Sequence, residues 1–174
     1  MRRWILWIGI LFLTGCASAL PDKTFVTPDY SLAGTQMLEV RTTCNDVEVS
    51  DVRATFVRGY CENLQAGFKL ALKNKFPEFQ MVEAGGDLVM DLTLEQLHGG
   101  SDTKRFWIGF GAGRSVSTTY LKLLKNGKII AEKRFVETTT MPDILTGASS
   151  NEEALMRDIT LLTRKMTDFV DRPE

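Results

Sequence analysis

Beyond residue 35 the apolar positions of the chain follow two periods, and these predict its elements. Met37, Glu39 and Arg41 alternate with Leu38, Val40 and Thr42, which predicts a strand ending near Cys44. From about Val52 to Lys75 the period lengthens. Val57, Tyr60, Cys61, Leu64, Phe68 and Ala71 step by three and four, the spacing of one helix face. Phe76-Pro77 ends that helix, because the residue before a proline is pushed out of the helical region. Phe79 to Val82 reads as a short strand and Gly85-Gly86 as a turn. Alternation returns in its clearest form over Asp87 to Leu97, with Leu88, Met90, Leu92 and Leu94 on one face and Asp91, Thr93 and Glu95 on the other. Ser115 to Leu124 predicts a further strand. Asn126-Gly127 is a two-residue hairpin signal, since both central residues need positive φ, and Lys128 to Thr138 is the returning strand. After Pro142 and Gly147, Ser150-Asn151-Glu152-Glu153 has the form of a capping box. Leu155, Ile159, Leu162, Met166 and Phe169 then line one helix face.

The predicted order is β-α-β-β-β-β-α. Each helix carries a single apolar stripe, so both should cover one face of a four- to five-stranded curved sheet. That is an α+β two-layer sandwich, a single domain over residues 35–174. Residues 17–34 carry Pro21, Pro28 and Gly34 among serines and threonines without apolar periodicity, and read as a tether.

The first residues follow another logic. Arg2 and Arg3 precede an uncharged apolar run, Trp4 to Leu13. The run is about half of the roughly 20 residues that span a bilayer, and it has the length and flanks of a secretion signal. Leu13-Thr14-Gly15-Cys16 resembles the lipobox read by lipoprotein signal peptidase. Small residues let the backbone enter such a peptidase, and the cysteine thiol carries diacylglycerol. The expectation is a signal over residues 1–15, a lipidated N-terminus and tether over 16–34, and attachment to the membrane through lipid on Cys16. Ala17 stands where an aspartate would hold such a protein back. By resemblance to enterobacterial sorting rules this implies the outer membrane, with the domain facing the periplasm. Multiple acyl chains anchor stably, whereas one is marginal.

Removing Arg2 and Arg3 takes the formal net charge from −1 to −3. No basic stripe is present, which argues against a nucleic-acid partner. With Cys16 acylated, two cysteines remain. In an oxidising compartment Cys44 and Cys61 are either a disulfide or two separate buried thiols.

Residues 99–115 are the oddest stretch. Gly109-x-Gly111-x-Gly113 invites a phosphate-binding reading, but a Walker loop or dinucleotide fingerprint must open a helix, and a strand pattern follows here. Phe106, Trp107, Ile108 and Phe110 are bulky and lie between Lys104, Arg105 and Arg114. The segment therefore reads as a candidate contact loop in which some side chains are buried and others meet a partner.

Three motifs in succession carry a family resemblance: Asp87-Leu-Val-Met-Asp-Leu-Thr-Leu, Ile108-Gly-Phe-Gly-Ala-Gly-Arg-Ser, and Lys125-Asn-Gly-Lys-Ile-Ile-Ala-Glu after a Ser/Thr-rich strand. Over roughly residues 36–170 the chain resembles the proteobacterial lipoproteins grouped as domain of unknown function 4410. The resemblance implies a fold similar to the periplasmic module of curli-secretion lipoproteins and of lipoprotein activators of penicillin-binding proteins, relatives that act through protein contacts.

Candidate chemistry is sparse. The single histidine, His98, has no evident nucleophile beside it, and one histidine with scattered carboxylates lacks zinc-like spacing. Asp87, Asp91 and Glu95 share a strand face in the manner of a solvated sheet surface. The expectation is no catalytic set, no metal and no cofactor. The chain reads as a non-catalytic interaction or assembly component of the cell envelope, whose partner is an envelope protein or a second copy. A small-ligand-binding module is the alternative, and an enzyme ranks last.

Overall fold

The computed structural model describes residues 24–100, 115–139 and 151–173. Within them the elements run β1 (Thr24–Val26), β2 (Met37–Thr43), β3 (Glu48–Ser50), α1 (Ala54–Lys75), β4 (Gln80–Val82), β5 (Leu88–His98), β6 (Ser115–Lys125), β7 (Lys128–Thr139) and α2 (Asn151–Asp171). The strands form one seven-stranded mixed sheet in the order β1-β7-β6-β5-β2-β4, with β3 also on β5. β5, β6 and β7 are antiparallel neighbours, while β2 and β3 both run parallel to β5.

The α+β class and both helices agree with the sequence reading, but the sheet is larger than four to five strands. The two unforeseen strands, β1 and β3, are three residues each and mostly exposed, so neither has an apolar alternation to betray it. β1 also corrects the tether. Thr24 to Val26 pair with Lys133 to Ala131, and the Tyr30 hydroxyl donates to the Val170 carbonyl at 2.6 Å. Lys125 Nζ donates to the carbonyls of Ser31 and Ala33. Residues 24–34 therefore belong to the domain.

Leu88, Met90, Leu92 and Leu94 point into the core, as their alternation predicts. At Glu95 the register with β6 slips by one residue: Leu94 faces Thr119, but Gln96 faces Thr118. This bulge shifts the phase, so Leu97 rather than Gln96 is buried. On the opposite edge of β5, β2 stops opposite Thr93 and β3 starts opposite Gln96. The intervening residues 44–47 leave the sheet, and Cys44 at their start is joined to Cys61 in α1, with 6.6 Å between the two Cα atoms.

Both helices cover one face. Tyr60, Leu64, Phe68 and Leu72 of α1 are buried, with Leu72 taking the inward place expected of Ala71. Leu155, Ile159, Leu162, Met166 and Phe169 of α2 are all buried. The helices run side by side in the same direction: Arg53, just before α1, pairs with Glu152 at the start of α2, and Lys75 pairs with Asp171 at their far ends. Parallel helices bring like dipole ends together, which Glu152 and Glu153 in the first turn of α2 offset.

Gly86 marks the tightest backbone approach. A Cβ there would lie 2.7 Å from the Glu39 nitrogen and 2.8 Å from its Cβ, neither of which can move without shifting β2. Gly59, inside α1, has nothing within 4 Å of its missing Cβ. Urea melts should therefore separate the two glycines. Gly86→Ala should cost about 1–3 kcal/mol as overpacking, and Gly59→Ala should add roughly 0.5–1 kcal/mol through helix propensity. Equal effects would contradict the assigned packing.

Candidate functional site

The inner face of β6 changes character along its length. Leu121 and Leu123 sit over the hairpin end, while Ser115, Ser117 and Thr119 occupy the same inward parity toward the other end, and all five are fully buried. Around these hydroxyls lie Tyr60 from α1, Glu137 from β7 directly opposite Ser117, and Asp158 from α2. The Tyr60 hydroxyl lies beside Ser117. Ser115 and Thr119 hydroxyls have no hydrogen-bond partner among the described residues. Lys165 donates to Glu137 Oε2 at 2.5 Å. The interior thus has an apolar half and a polar half. The polar half lies at the end of the sheet from which the connections 101–114 and 140–150 depart.

Burial dominates the ionisation of this half. It pushes the Asp158 carboxyl up to about 7, with the nearby Glu137 adding to the shift and Lys165 opposing it. It also pushes the Tyr60 phenol well above its usual range. Two sequence signals point to the cluster: a carboxylate, Asp158, three residues after Leu155 and four before Leu162 on an apolar stripe, and hydroxyls on the inward parity of β6. The sequence reading took Tyr60 as one more apolar stripe position.

The opposite face of the sheet is a charge lattice. Arg41, Asp91, Lys122 and Glu132 stand in one cross-strand row, alternating in sign over four strands. Glu95 accepts two hydrogen bonds from Arg134, at 2.6 and 3.0 Å. Glu39 accepts from Arg41 and from the Gly86 amide, and the Arg41 bond above all holds its carboxyl below the usual range. Asp87 accepts the amides of Gln36 and Met37 and so pins the start of β2. The three carboxylates singled out in sequence, Asp87, Asp91 and Glu95, are thus each engaged with a different neighbour. Their arrangement is that of a strand register, not of a paired acid and base.

His98 ends β5 beside Ser50 and Asp51. Ser50 Oγ is hydrogen-bonded to His98 Nδ1, and Asp51 Oδ2 lies 3.5 Å from that same nitrogen. A catalytic histidine needs its orienting carboxylate and its nucleophile on different ring nitrogens. Here both approach Nδ1. Among the described residues no group of three or more His, Cys, Asp or Glu could hold a metal ion, and no helix is long and apolar enough to cross a membrane.

Cys16 and the candidate contact residues Lys104, Arg105, Phe106, Trp107, Ile108, Phe110 and Arg114 lie outside the described residues. Their flanks are placed: His98 and Ser115, adjoining the connection, sit at the polar end of the interior. A separate groove of about 620 Å³ runs between β7 and α2 toward the opposite end of the helices. Phe135 and Phe169 meet edge to face in it at 5.7 Å, with Lys133 Nζ 6.0 and 5.4 Å from their ring centres. Lys75, Lys165 and Arg172 complete its cationic lining, against Asp168 and Asp171.

No family model matches the chain, so the resemblance carried by residues 87–132 rests on those motifs alone. No curated protein matches it either. Solved structures resemble it to differing degrees, and the first of those named here shares its fold. An uncharacterized protein superposes with a TM-score of 0.53 at 15% identity, over 78% of this chain and 92% of the other. PelC from Paraburkholderia phytofirmans, crystallised as a dodecamer, gives a TM-score of 0.47 at 9% identity over 82% and 92%. A minor lipoprotein from Acinetobacter baumannii gives 0.45 at 11% identity over 78% and 90%. At 15% identity the first likeness is one of fold alone.

Two outcomes follow from the site geometry. The folded chain keeps a proton on Asp158 that the unfolded chain loses from about pH 4 upward, so stability should fall as pH rises from about 4 to 7 and level off above. Asp158→Asn should remove most of that slope, about 2.7 kcal/mol between urea melts at pH 5 and pH 8; parallel slopes for both proteins would refute the assignment. Separately, reducing the Cys44–Cys61 bond, which spans 17 residues, should cost about 3 kcal/mol in the chain-entropy model. Two reactive thiols in the unfolded, unreduced protein would show that the bond is not formed.

Proposed function

We propose that this chain is a lipoprotein anchored to the outer membrane through Cys16, with a periplasmic domain that works by contact with another protein or with itself and not by catalysis. The observation that carries the reading is the ordered series of two arginines, an uncharged apolar run and Leu13-Thr14-Gly15-Cys16. Supporting it, Asp87 accepts backbone amides of β2, Glu95 bonds Arg134 across the strands, and His98 has both polar neighbours on one nitrogen. The contact candidate is the segment containing Lys104, Arg105, Phe106, Trp107, Ile108, Phe110 and Arg114. Its flanks adjoin the half of the domain whose interior is polar, and such a half contributes less burial energy than a leucine-packed one. Binding surfaces are commonly drawn from ends of this kind, on connections held by a rigid scaffold.

Mass spectrometry of the mature protein should find diacylglycerol on Cys16, and Cys16→Ser should release the chain from membranes. In intact envelopes, crosslinking should trap a specific envelope protein or a second copy, and Trp107→Ala should abolish the adduct while leaving the melting curve unchanged. A strictly monomeric protein with no adduct, or an adduct indifferent to Trp107→Ala, would overturn the contact role.

A further inference from the structure

The β7–α2 groove lies where the lipid-bearing segment joins the fold. Seven residues separate Cys16 from Thr24, the first residue of β1. Fully extended, the eight steps between them reach at most about 28 Å. Thr24 pairs directly with Lys133, and Lys133 lines the groove. The domain therefore cannot drift far from the surface that holds Cys16, and the part of it held nearest is the β1–β7 edge.

That edge has the chemistry of a lipid headgroup surface. Lys75, Lys133, Lys165 and Arg172 line the groove over a floor of Phe135 and Phe169; Lys75 pairs with Asp171 and Lys165 with Glu137, so that with Asp168 the four cations face three carboxylates. Lysine stems can lie along such an aromatic floor while their ammonium groups reach outward. Thr24, paired with Lys133, carries the same face onto β1, whereas Phe25 pairs with Glu132 and belongs to the opposite face. The opposing charge lattice of Arg41, Asp91, Lys122 and Glu132 balances its own signs and has no such surplus.

We propose that the β7–α2 groove is the surface on which this domain rests against the anionic phospholipid headgroups of the membrane that holds Cys16. The inference depends on the anchoring reading above and adds an orientation to it. The β1–β7 edge faces the bilayer, Lys133 and its neighbours meet the phosphates, and Lys122 points away. A lysine near an anionic surface gains about fivefold in local binding, so its amine should be shielded to a similar degree.

The test is lysine acetylation of the full lipidated protein in vesicles of phosphatidylethanolamine with phosphatidylglycerol, read residue by residue against the same protein in neutral detergent micelles. Lys133 and Lys165 should react about fivefold more slowly on the vesicles, with Lys122 unchanged. Inorganic phosphate added to the micelles should not reproduce the protection. Protection by phosphate alone would assign the groove to a soluble anion and overturn the membrane contact. Equal rates at Lys133 and Lys165 on a protein that floats with the vesicles would overturn the orientation and leave the anchor intact. A chain that carries no lipid and fails to float would instead defeat the anchoring reading itself.

Discussion

Strand β5 must match one continuous edge to two separate strands, and the arrangement of the polar end follows from how it does so. β2 occupies its edge up to Thr93 and β3 resumes at Gln96, so the chain between them has to leave the sheet. Cys44 stands at the start of that excursion, and its bond to Cys61 holds the displaced loop against α1. At the same level the other edge of β5 bulges at Glu95. One irregularity serves both edges. It turns Leu97 into the core, while Glu95, already outward by the alternation before it, bonds Arg134. A strictly regular strand would have put Gln96 under the helices and Leu97 outside them. The bulge is therefore what allows an eleven-residue strand to remain a core strand to its end.

The two ends of the domain are held by different forces. Toward the β6–β7 hairpin the layers close over Leu72, Leu88, Leu121 and Leu123, a contact among side chains that need no partners. Toward the opposite end the same layers meet through Tyr60, Ser117, Glu137 and Asp158, whose buried polar atoms contribute less than apolar packing and cost more wherever they go unmatched. A protonated Asp158 can donate a hydrogen bond, while an ionised one must be compensated by Lys165, which Glu137 already engages. The polar end consequently has an interior whose stability depends on pH, and the two long connections emerge from it.

Much of this was legible in the chain. The core strands declare themselves by alternation because one face is buried and the other is not, and both helices declare their inward faces by spacing. Asn126 and Gly127 have the positive φ values that a two-residue hairpin requires. What escaped reading has physical causes. β1 and β3 are edge strands held by backbone hydrogen bonds, which leave no side-chain pattern, and Pro28 and Gly34 give the chain after β1 the composition of a linker. The phase change at Glu95 depends on pairing with β6, a property of two strands together. The polar cluster was visible only in part. Serines and threonines at alternate β6 positions look like a solvated face until the inward parity of Leu121 and Leu123 is followed back through them. The β7–α2 groove joins Lys75, Lys133 and Arg172 from three distant parts of the chain, and no local spacing announces it.

Anchoring through Cys16, as proposed, would constrain the choice of partner through the shortness of the link. The longest element, the twelve-residue strand β7, spans about 40 Å, and the link would add at most about 28 Å. The described part of the domain would therefore stay within about 70 Å of a lipid on Cys16. A partner embedded in or attached to the same membrane is always in range, whereas one confined to a distant layer must itself extend to meet it. Docking the β1–β7 edge on the bilayer narrows the range further, since it fixes one edge of the sheet to the surface and leaves the polar end to sweep only an arc beside it. A protein built this way gains effective concentration for neighbours in its own membrane and loses it for everything else. The same shortness that makes the anchor a poor arm makes it a selective one.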